Sequence, residues 1–147
     1  MEQELSNLET TVTSWPTVLC IDDDPQIVET IKLRLRQYEV EVVSAYYGMH
    51  GFWQAMTDKP DLIITDLRMP QGRGDYLVKS LRSNSDTRAI PVIVLTGQRD
   101  SELEHTMRSL GAQEFFTKPA RFDQLAAAIA RYIPLRERAE EMVPAKS

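Results

Sequence analysis

The sequence has little of the chemistry on which several classes of protein depend. Its 147 residues include one cysteine, Cys20, and two histidines, which excludes an intramolecular disulfide framework and a four-thiolate zinc site. The longest stretch without Lys, Arg, Asp or Glu, 42–57, is interrupted by glycine, histidine and glutamine, so it is not a membrane span. No basic start followed by an apolar run marks a secretory signal. We therefore expect a cytoplasmic protein that makes no membrane contact.

Positive charge is also scarce. Lys and Arg number 17 against 22 Asp and Glu, which gives a net charge of −5, so the chain has no general electrostatic attraction for nucleic acid. The glycine patterns of P-loop and dinucleotide-binding folds are absent. Hydrophobic residues make up 42% of the chain, an ordinary globular fraction. The length is that of one domain, which we expect at 16–133, between an N-terminal tail (1–15) and a C-terminal helical extension or tail (134–147).

From residue 17 onward, short apolar runs alternate with helical patterns. The runs lie at 17–21, 40–43, 62–65, 90–95 and 114–117, and each is followed by apolar residues at helical spacing. Strands that are nearly all apolar are typical of a parallel sheet covered on both faces. The sequence therefore predicts an α/β domain with a doubly wound, five-stranded parallel sheet and five helices.

Polar side chains follow four of the five predicted strands. In chain order they are Asp22, Asp23, Asp24, Asp66, Thr96 and Lys118. Ligands bind open parallel sheets at the carboxyl ends of the strands, so we expect these groups to converge. Crowded carboxylates recruit a cation, and a set of oxygen ligands favours Mg²⁺.

A magnesium ion in turn accepts phosphate oxygens, which makes a phosphoryl group the natural ligand of this edge. Lys118 would pair with its charge and Thr96 would donate a hydrogen bond. Asp66 is then either a further metal ligand or a nucleophile that forms an acyl phosphate. For Asp24, which precedes a proline and a helical pattern, we favour the role of helix N-cap.

Four motifs give the chain a resemblance to a known family. Residues 17–133 resemble the receiver domain of two-component response regulators, and the motifs are Ile21-Asp22-Asp23-Asp24-Pro25, Asp66-Leu67-Arg68-Met69-Pro70, Val94-Leu95-Thr96-Gly97 and Phe116-Thr117-Lys118-Pro119. The resemblance implies a flavodoxin-like sheet with strand order 2-1-3-4-5. It also implies a signalling switch, and no enzymatic activity beyond self-catalysed phosphoryl transfer and autodephosphorylation.

The resemblance assigns the metal and the phosphoryl group to particular residues. Asp66 would be the phosphoacceptor. Asp22, Asp23, Asp66 and the backbone carbonyl of Arg68 would hold Mg²⁺, and Lys118 would bind a phosphate oxygen.

The resemblance further implies how the signal leaves the site. Thr96 would turn toward the phosphate, and Phe115 would swing inward as its partner in the switch. Phe115 stands where the family often has tyrosine, so it lacks the hydroxyl. The bond between Lys118 and Pro119 is expected to be cis.

The implied partners are proteins. A sensor histidine kinase or a histidine phosphotransfer protein would supply the phosphoryl group. A downstream protein would contact the face formed by the fourth helix, the fifth strand and the fifth helix, where Leu103, Met107 and Phe115 are the first positions to map. No direct nucleic-acid contact is expected. The sequence leaves open whether the chain forms a homodimer.

Three alternatives use the same residues differently. A haloacid-dehalogenase-type phosphatase would use Asp22 as nucleophile and Asp24 as acid, but it needs an acidic pair beyond the lysine and leaves the Asp66 motif without a role. An interaction module that has lost the chemistry would not need all five side chains. Flavodoxin-like FMN binding needs a glycine- and hydroxyl-rich loop after the first strand, where this chain has aspartates.

Other features have plainer interpretations. Trp53 is expected to pack in the core or to be half-buried, and Cys20 is expected to fill space inside the first strand. Lys79, Arg82 and Arg88 are interpreted as a solvated face.

Overall fold

The computed structural model describes residues 14–68, 74–98 and 100–139. Within these ranges five strands alternate with five helices, as predicted. The strands are β1 (Thr17–Ile21), β2 (Glu41–Ala45), β3 (Leu62–Thr65), β4 (Val92–Thr96) and β5 (Glu114–Thr117). The helices are α1 (Pro25–Leu35), α2 (Gly48–Asp58), α3 (Gly74–Ser83), α4 (Ser101–Leu110) and α5 (Phe122–Ile129). None of these helices has the length and apolar character needed to cross a membrane.

The five strands form one parallel sheet in the order β2-β1-β3-β4-β5, which confirms the predicted fold. β3 and β4 are buried along their whole length. The ladder continues past the strand ends, since the Asp22 amide donates to the carbonyl of Ala45 at 3.0 Å and the Asp66 amide donates to that of Ile21 at 2.9 Å. Asp22 and Asp66 are thereby fixed side by side at the carboxyl edge of the sheet.

Two hydrophobic cores cover the sheet, and each strand contributes to both. Leu19 and Ile21 of β1 face the core closed by α2, α3 and α4, whereas Val18 and Cys20 face the core closed by α1 and α5. This alternation is the consequence of the two-residue period of a strand. Cys20 is buried as predicted, and burial raises the pKa of its thiol to about 12.

The acidic segment after β1 starts helix α1. The Asp24 carboxylate accepts a hydrogen bond from the Gln26 amide at 2.9 Å, and Pro25 occupies the first turn, where its missing N–H leaves no bond unmade. The predicted role of Asp24 as N-cap is confirmed. The cap orients the chain so that Asp22 and Asp23 remain outside the helix.

Two side chains differ from their predicted environments. Trp53 is 59% exposed, because Gly51 and Ala55 occupy the buried side of α2 and Trp53 falls on the other. Arg82 is half-buried and donates to the carbonyl oxygen of Gly111, so the interpretation of a solvated face is wrong for this residue.

The segment after α5 crosses the end of the domain in an extended conformation. The Glu39 amide donates to the carbonyl of Arg136 at 2.7 Å, and the Arg138 amide donates to that of Gln37 at 2.8 Å. Residues 134–139 are therefore not helical and pair with the loop before β2. The remainder of the two predicted tails, 1–13 and 140–147, lies outside the described residues.

Candidate functional site

Three carboxylates meet at the carboxyl edge of the sheet. Asp22, Asp23 and Asp66 each offer an oxygen atom that lies within 4.8 Å of the others. Asp22 and Asp66 are buried, with 3% and 7% of their surface exposed, whereas Asp23 is exposed. Two buried carboxylates at such short range repel each other unless a cation lies between them.

Lys118 supplies positive charge at this edge. Its ammonium lies 2.7 Å from Asp22 Oδ2 and 3.1 Å from Asp66 Oδ2. Burial alone would lower the pKa of Lys118, but the hydrogen bond and charge of Asp22, followed by Asp66, outweigh it and raise the pKa. Burial raises the pKa of Asp22, and the contact with Lys118 only partly opposes this effect. The lysine is thus held protonated between two acids.

The two oxygens of Asp66 have different environments. Oδ1 accepts hydrogen bonds from the amides of Leu67 at 2.6 Å and Arg68 at 3.4 Å, while Oδ2 faces Lys118. The backbone therefore fixes the rotation of this carboxylate and leaves Oδ2 pointing toward the charged side of the site. Met69 and Pro70 of the same motif lie outside the described residues.

A cleft of about 550 Å³ opens beside Asp66. Its lining residues are Asp66, Arg68, Thr96, Gly97, Gln98, Asp100 and Leu103. With the Gln98 amide oriented so that its oxygen faces donors, that oxygen accepts from the guanidinium of Arg68, which joins the two long side chains at the cleft. Thr96 is fully buried at its base.

The ends of β4 and β5 are tied together at this cleft. The Lys118 amide donates to the carbonyl of Thr96 at 2.7 Å, and the bond between Lys118 and Pro119 is cis, as expected. The predicted site residues Asp22, Asp23, Asp66, Thr96 and Lys118 therefore share one edge of the sheet. The backbone carbonyl of Arg68 as a metal ligand stays a prediction.

Of the residues expected to relay the signal, Thr96 and Leu103 line this cleft, whereas Phe115 and Met107 pack in the core beside it. Phe115 is half-buried and packs with Leu103 and Leu110 against the core beneath α2, α3 and α4. Met107 was expected on the contact surface, but it is fully buried because it occupies the side of α4 that faces the sheet. Met107 thus has no surface for a partner, and that expectation is wrong.

Gly74 is a feature of the site that the sequence motifs did not indicate. Its amide donates to the carbonyl of Leu67 at 3.0 Å, which brings the start of α3 back against the residue after Asp66. A Cβ atom on Gly74 would lie 2.5 Å from the Leu67 Cα atom and 2.8 Å from the Asp66 carbonyl oxygen. Only glycine allows this approach of the two backbones.

We expect Gly74→Ala to lower the free energy of unfolding by about 2 kcal/mol, because backbone atoms cannot yield as a flexible side chain does. Gly97→Ala is the matched control, since no atom lies within 4 Å of a Cβ at that position. Urea unfolding of both variants measures the difference. Equal stabilities for the two variants would contradict the proposed close approach.

Comparison with known proteins agrees with this arrangement. The model of the response regulator receiver domain family matches residues 18–130. The chain belongs to this family. It is 30% identical over 113 residues to the protein PilH of Pseudomonas aeruginosa, and the match covers 76% of this chain and 93% of PilH.

Other curated relatives of this receiver domain are longer proteins. The DNA-binding dual master transcriptional regulator RpaA of Synechocystis is 33% identical over 116 residues, which is 78% of this chain and 47% of RpaA. The hybrid signal transduction histidine kinase D of Dictyostelium discoideum is 29% identical over 136 residues, 92% of this chain and 9% of the kinase. This chain thus spans less than half the length of either protein.

Solved structures show the same fold. The chemotaxis protein CheY4 of Vibrio cholerae is similar with a TM-score of 0.75 and 27% identity, over 82% of this chain and 100% of CheY4. The receiver domain is accordingly a phosphorylation-activated module of two-component signalling, in a family whose members are signalling phosphoacceptors. The phosphatase alternative with Asp22 as nucleophile is not favoured.

Proposed function

We propose that Asp66 accepts a phosphoryl group from a sensor histidine kinase or a histidine phosphotransfer protein. The observation that carries the proposal is the placement of the Asp66 carboxylate, whose Oδ2 faces Lys118 at 3.1 Å. An oxygen of the same carboxylate clusters with those of Asp22 and Asp23. In the transfer, an Asp66 carboxylate oxygen forms a bond to phosphorus while the bond between phosphorus and the donor imidazole nitrogen breaks. The imidazole leaves with the electron pair and takes up a proton.

The donor set fits a magnesium ion. Asp22, Asp23 and Asp66 offer only oxygen ligands, which hard divalent cations prefer, and the carbonyl of Arg68 is the fourth protein ligand of the proposal. Mg²⁺ held by these residues would supply positive charge to the phosphoryl oxygens and so offset the repulsion between three carboxylates and an incoming dianion.

The remaining residues of the site have roles in holding the phosphoryl group. Lys118 shares its ammonium between two carboxylates, so it can contact a phosphate oxygen on Asp66 without leaving its position. Thr96 lines the same cleft and offers a hydroxyl donor. Phosphate contacts that exist only in the phosphorylated state bias the switch toward one conformation.

The proposed output surface is the face formed by α4, β5 and α5. Phe115 connects it to the site, since it packs behind α4 while Thr96 on the neighbouring strand lines the cleft. The affinity of a downstream protein for this face would depend on the positions of Thr96 and Phe115. We place this exchange in the cytoplasm, where histidine kinases deliver their phosphoryl groups, and we leave open whether a homodimer forms.

Incubation with acetyl phosphate or phosphoramidate and Mg²⁺, followed by intact-mass analysis, tests the proposal. The wild-type chain should gain the mass of one phosphoryl group, and the gain should be absent in Asp66→Asn and in the presence of a chelator. Asn keeps the size of the side chain but cannot form an acyl phosphate.

Asp61→Asn is a suitable control, because the Asp61 carboxylate accepts a hydrogen bond from the Thr17 amide at the other end of β1 and lies away from the site. It should be phosphorylated like the wild type. An equal mass gain in wild type and Asp66→Asn would move the nucleophile elsewhere. Steady hydrolysis of a small phosphate ester that depends on Asp22 and not on Asp66 would restore the phosphatase alternative.

A further inference from the structure

A second cleft, of about 420 Å³, lies at the opposite end of the sheet from the acidic site. It is enclosed by Trp15 in the segment before β1, the last turn of α1, the start of β2 and the segment after α5. The lining residues are Trp15, Lys32, Leu35, Arg36, Val40, Glu41, Val42 and Arg138. None of them takes part in the phosphorylation chemistry proposed above.

The lining of this cleft is cationic, in a chain whose net charge is −5. Lys32, Arg36 and Arg138 contribute three positive charges against one acid, Glu41. The part of the chain that the structure describes gives Lys32 and Arg36 no salt bridge. Unneutralised cations around one cleft are a binding surface for carboxylates or other anions.

The wall of the cleft is aromatic and preformed. The Arg138 guanidinium lies 4.8 Å from the centre of the Trp15 ring, and its Nε donates to the carbonyl of Tyr38 at 2.9 Å. The apolar side chains of Leu35, Val40 and Val42 complete the surface. The cleft therefore offers contacts to an occupant that carries both carboxylates and apolar side chains.

We propose that this cleft binds residues 1–13 of the same chain. That segment carries Glu2, Glu4 and Glu9 and no lysine or arginine, and it also carries Leu5 and Leu8. Its acids complement the cations of the cleft, and its leucines complement the apolar surface beside Trp15.

The point of attachment favours this occupant over a separate protein. Residue 13 joins the described chain at Ser14, next to the cleft wall at Trp15. A chain extends by at most about 3.5 Å per residue, so Glu9 reaches up to about 17 Å from Ser14 and Glu2 farther. Every acid of the segment can therefore reach the cations without rearrangement of the domain.

The contacts between residues 1–13 and the cleft are individually weak, and the covalent connection of the segment to the domain makes them effective. Exposed ion pairs are individually weak and are screened by salt. A short linker raises the effective concentration of the segment at the cleft to the millimolar range, so weak contacts are sufficient. Docking should accordingly be lost at high ionic strength.

A spin label on the segment tests the proposal in the full chain. Cys20 is buried, with a thiol pKa of about 12, so a nitroxide reagent will label Ser6→Cys selectively. In the ¹⁵N-labelled protein, the amide signals of Val40 and Val42 should lose at least half their intensity relative to the reduced label. The loss should become much smaller in 1 M NaCl and in a Lys32→Glu/Arg36→Glu variant, to the level expected of an undocked tether of this length.

A charge-matched variant, Lys79→Glu/Arg88→Glu, is the control and should keep the intensity loss. Absence of the loss in the labelled wild type would overturn the proposal, as would a loss that neither salt nor charge reversal reduces. Broadening in a mixture of labelled ¹⁴N chain and unlabelled ¹⁵N chain would assign the cleft to a second copy. Broadening from a label at Ala145→Cys but not at Ser6→Cys would assign it to residues 140–147; both results overturn the proposal.

Discussion

Lys118→Met should lower the free energy of unfolding by about 3 kcal/mol at pH 7 in a chelator, because removal of one partner from a buried ion pair leaves uncompensated charge. The Lys118 ammonium contacts Asp22 and Asp66, whose side chains are only 4% and 9% exposed. Without it, two carboxylates lie together with no cation. Addition of Mg²⁺ should restore much of the loss, since the ion would replace the missing charge.

The loss of stability in Lys118→Met should also depend on pH. The folded-state pKa of Asp22 already lies above its ordinary value through burial, and Lys118 holds it down in part, so the variant should raise it further. A carboxyl whose folded pKa exceeds its unfolded value binds protons more tightly when folded, so stability decreases as the pH rises between the two values. The deficit should therefore be smaller at pH 4.5 than at pH 7.

Urea unfolding at both pH values, with and without Mg²⁺, measures these effects. Lys79→Met is the control, because Lys79 is exposed on α3 and its removal should change the stability by less than about 0.5 kcal/mol. A Lys118→Met protein as stable as the wild type in a chelator at pH 7 would contradict the assignment of Lys118 as the counter-charge of the site.

Arg82→Ala should be the second severe variant, with a loss of about 2–4 kcal/mol. The guanidinium of Arg82 donates to the carbonyls of Gly111, Arg88 and Ile90 and to the side-chain oxygen of Gln113. These bonds tie α3 to the end of α4 and to the segment before β4. The carbonyls of Gly111, Arg88 and Ile90 would lose their Arg82 donors, at about 1 kcal/mol each, whereas the side-chain oxygen of Gln113 keeps the Val92 amide.

Arg82→Lys should restore little, because an ammonium lacks the planar fork that reaches several acceptors at once. Arg121→Ala is the matched control, since its salt bridge with Asp123 is 73% and 65% exposed and contributes about 0.5 kcal/mol or less. Thermal and urea unfolding of the three variants measures these differences in stability. Similar losses of stability in Arg82→Ala and Arg121→Ala would contradict the predicted stabilising role of the Arg82 hydrogen bonds.

The architecture could be predicted from the sequence because the physical signals were strong and local. Apolar runs that end in aspartate, threonine or lysine mark the carboxyl ends of parallel strands, and the order of the strands came from the family resemblance. The ends of β2 and β4 lie one or two residues beyond the apolar runs, because pairing with the neighbouring strand sets them: Ala45 pairs with Ile21, and Thr96 with Thr117.

What the sequence could not provide was the direction in which single side chains point. Trp53 and Arg82 lie on short helices where one apolar or charged residue gives no indication of its face, and the structure reversed both expectations. The requirement for glycine at position 74 could not be predicted for a different reason. Its necessity comes from the backbone of Leu67, a contact between segments that no spacing pattern records.

One hydrogen bond constrains how the domain can respond to its ligand. The Lys118 amide donates to the Thr96 carbonyl at 2.7 Å, so the main chains that carry the hydroxyl and the ammonium are coupled across neighbouring strands. A displacement of Thr96 must either move Lys118 with it or break this bond. In the function proposed above, Lys118 binds the phosphate and Thr96 relays the signal, so this bond would couple the two steps through the main chain.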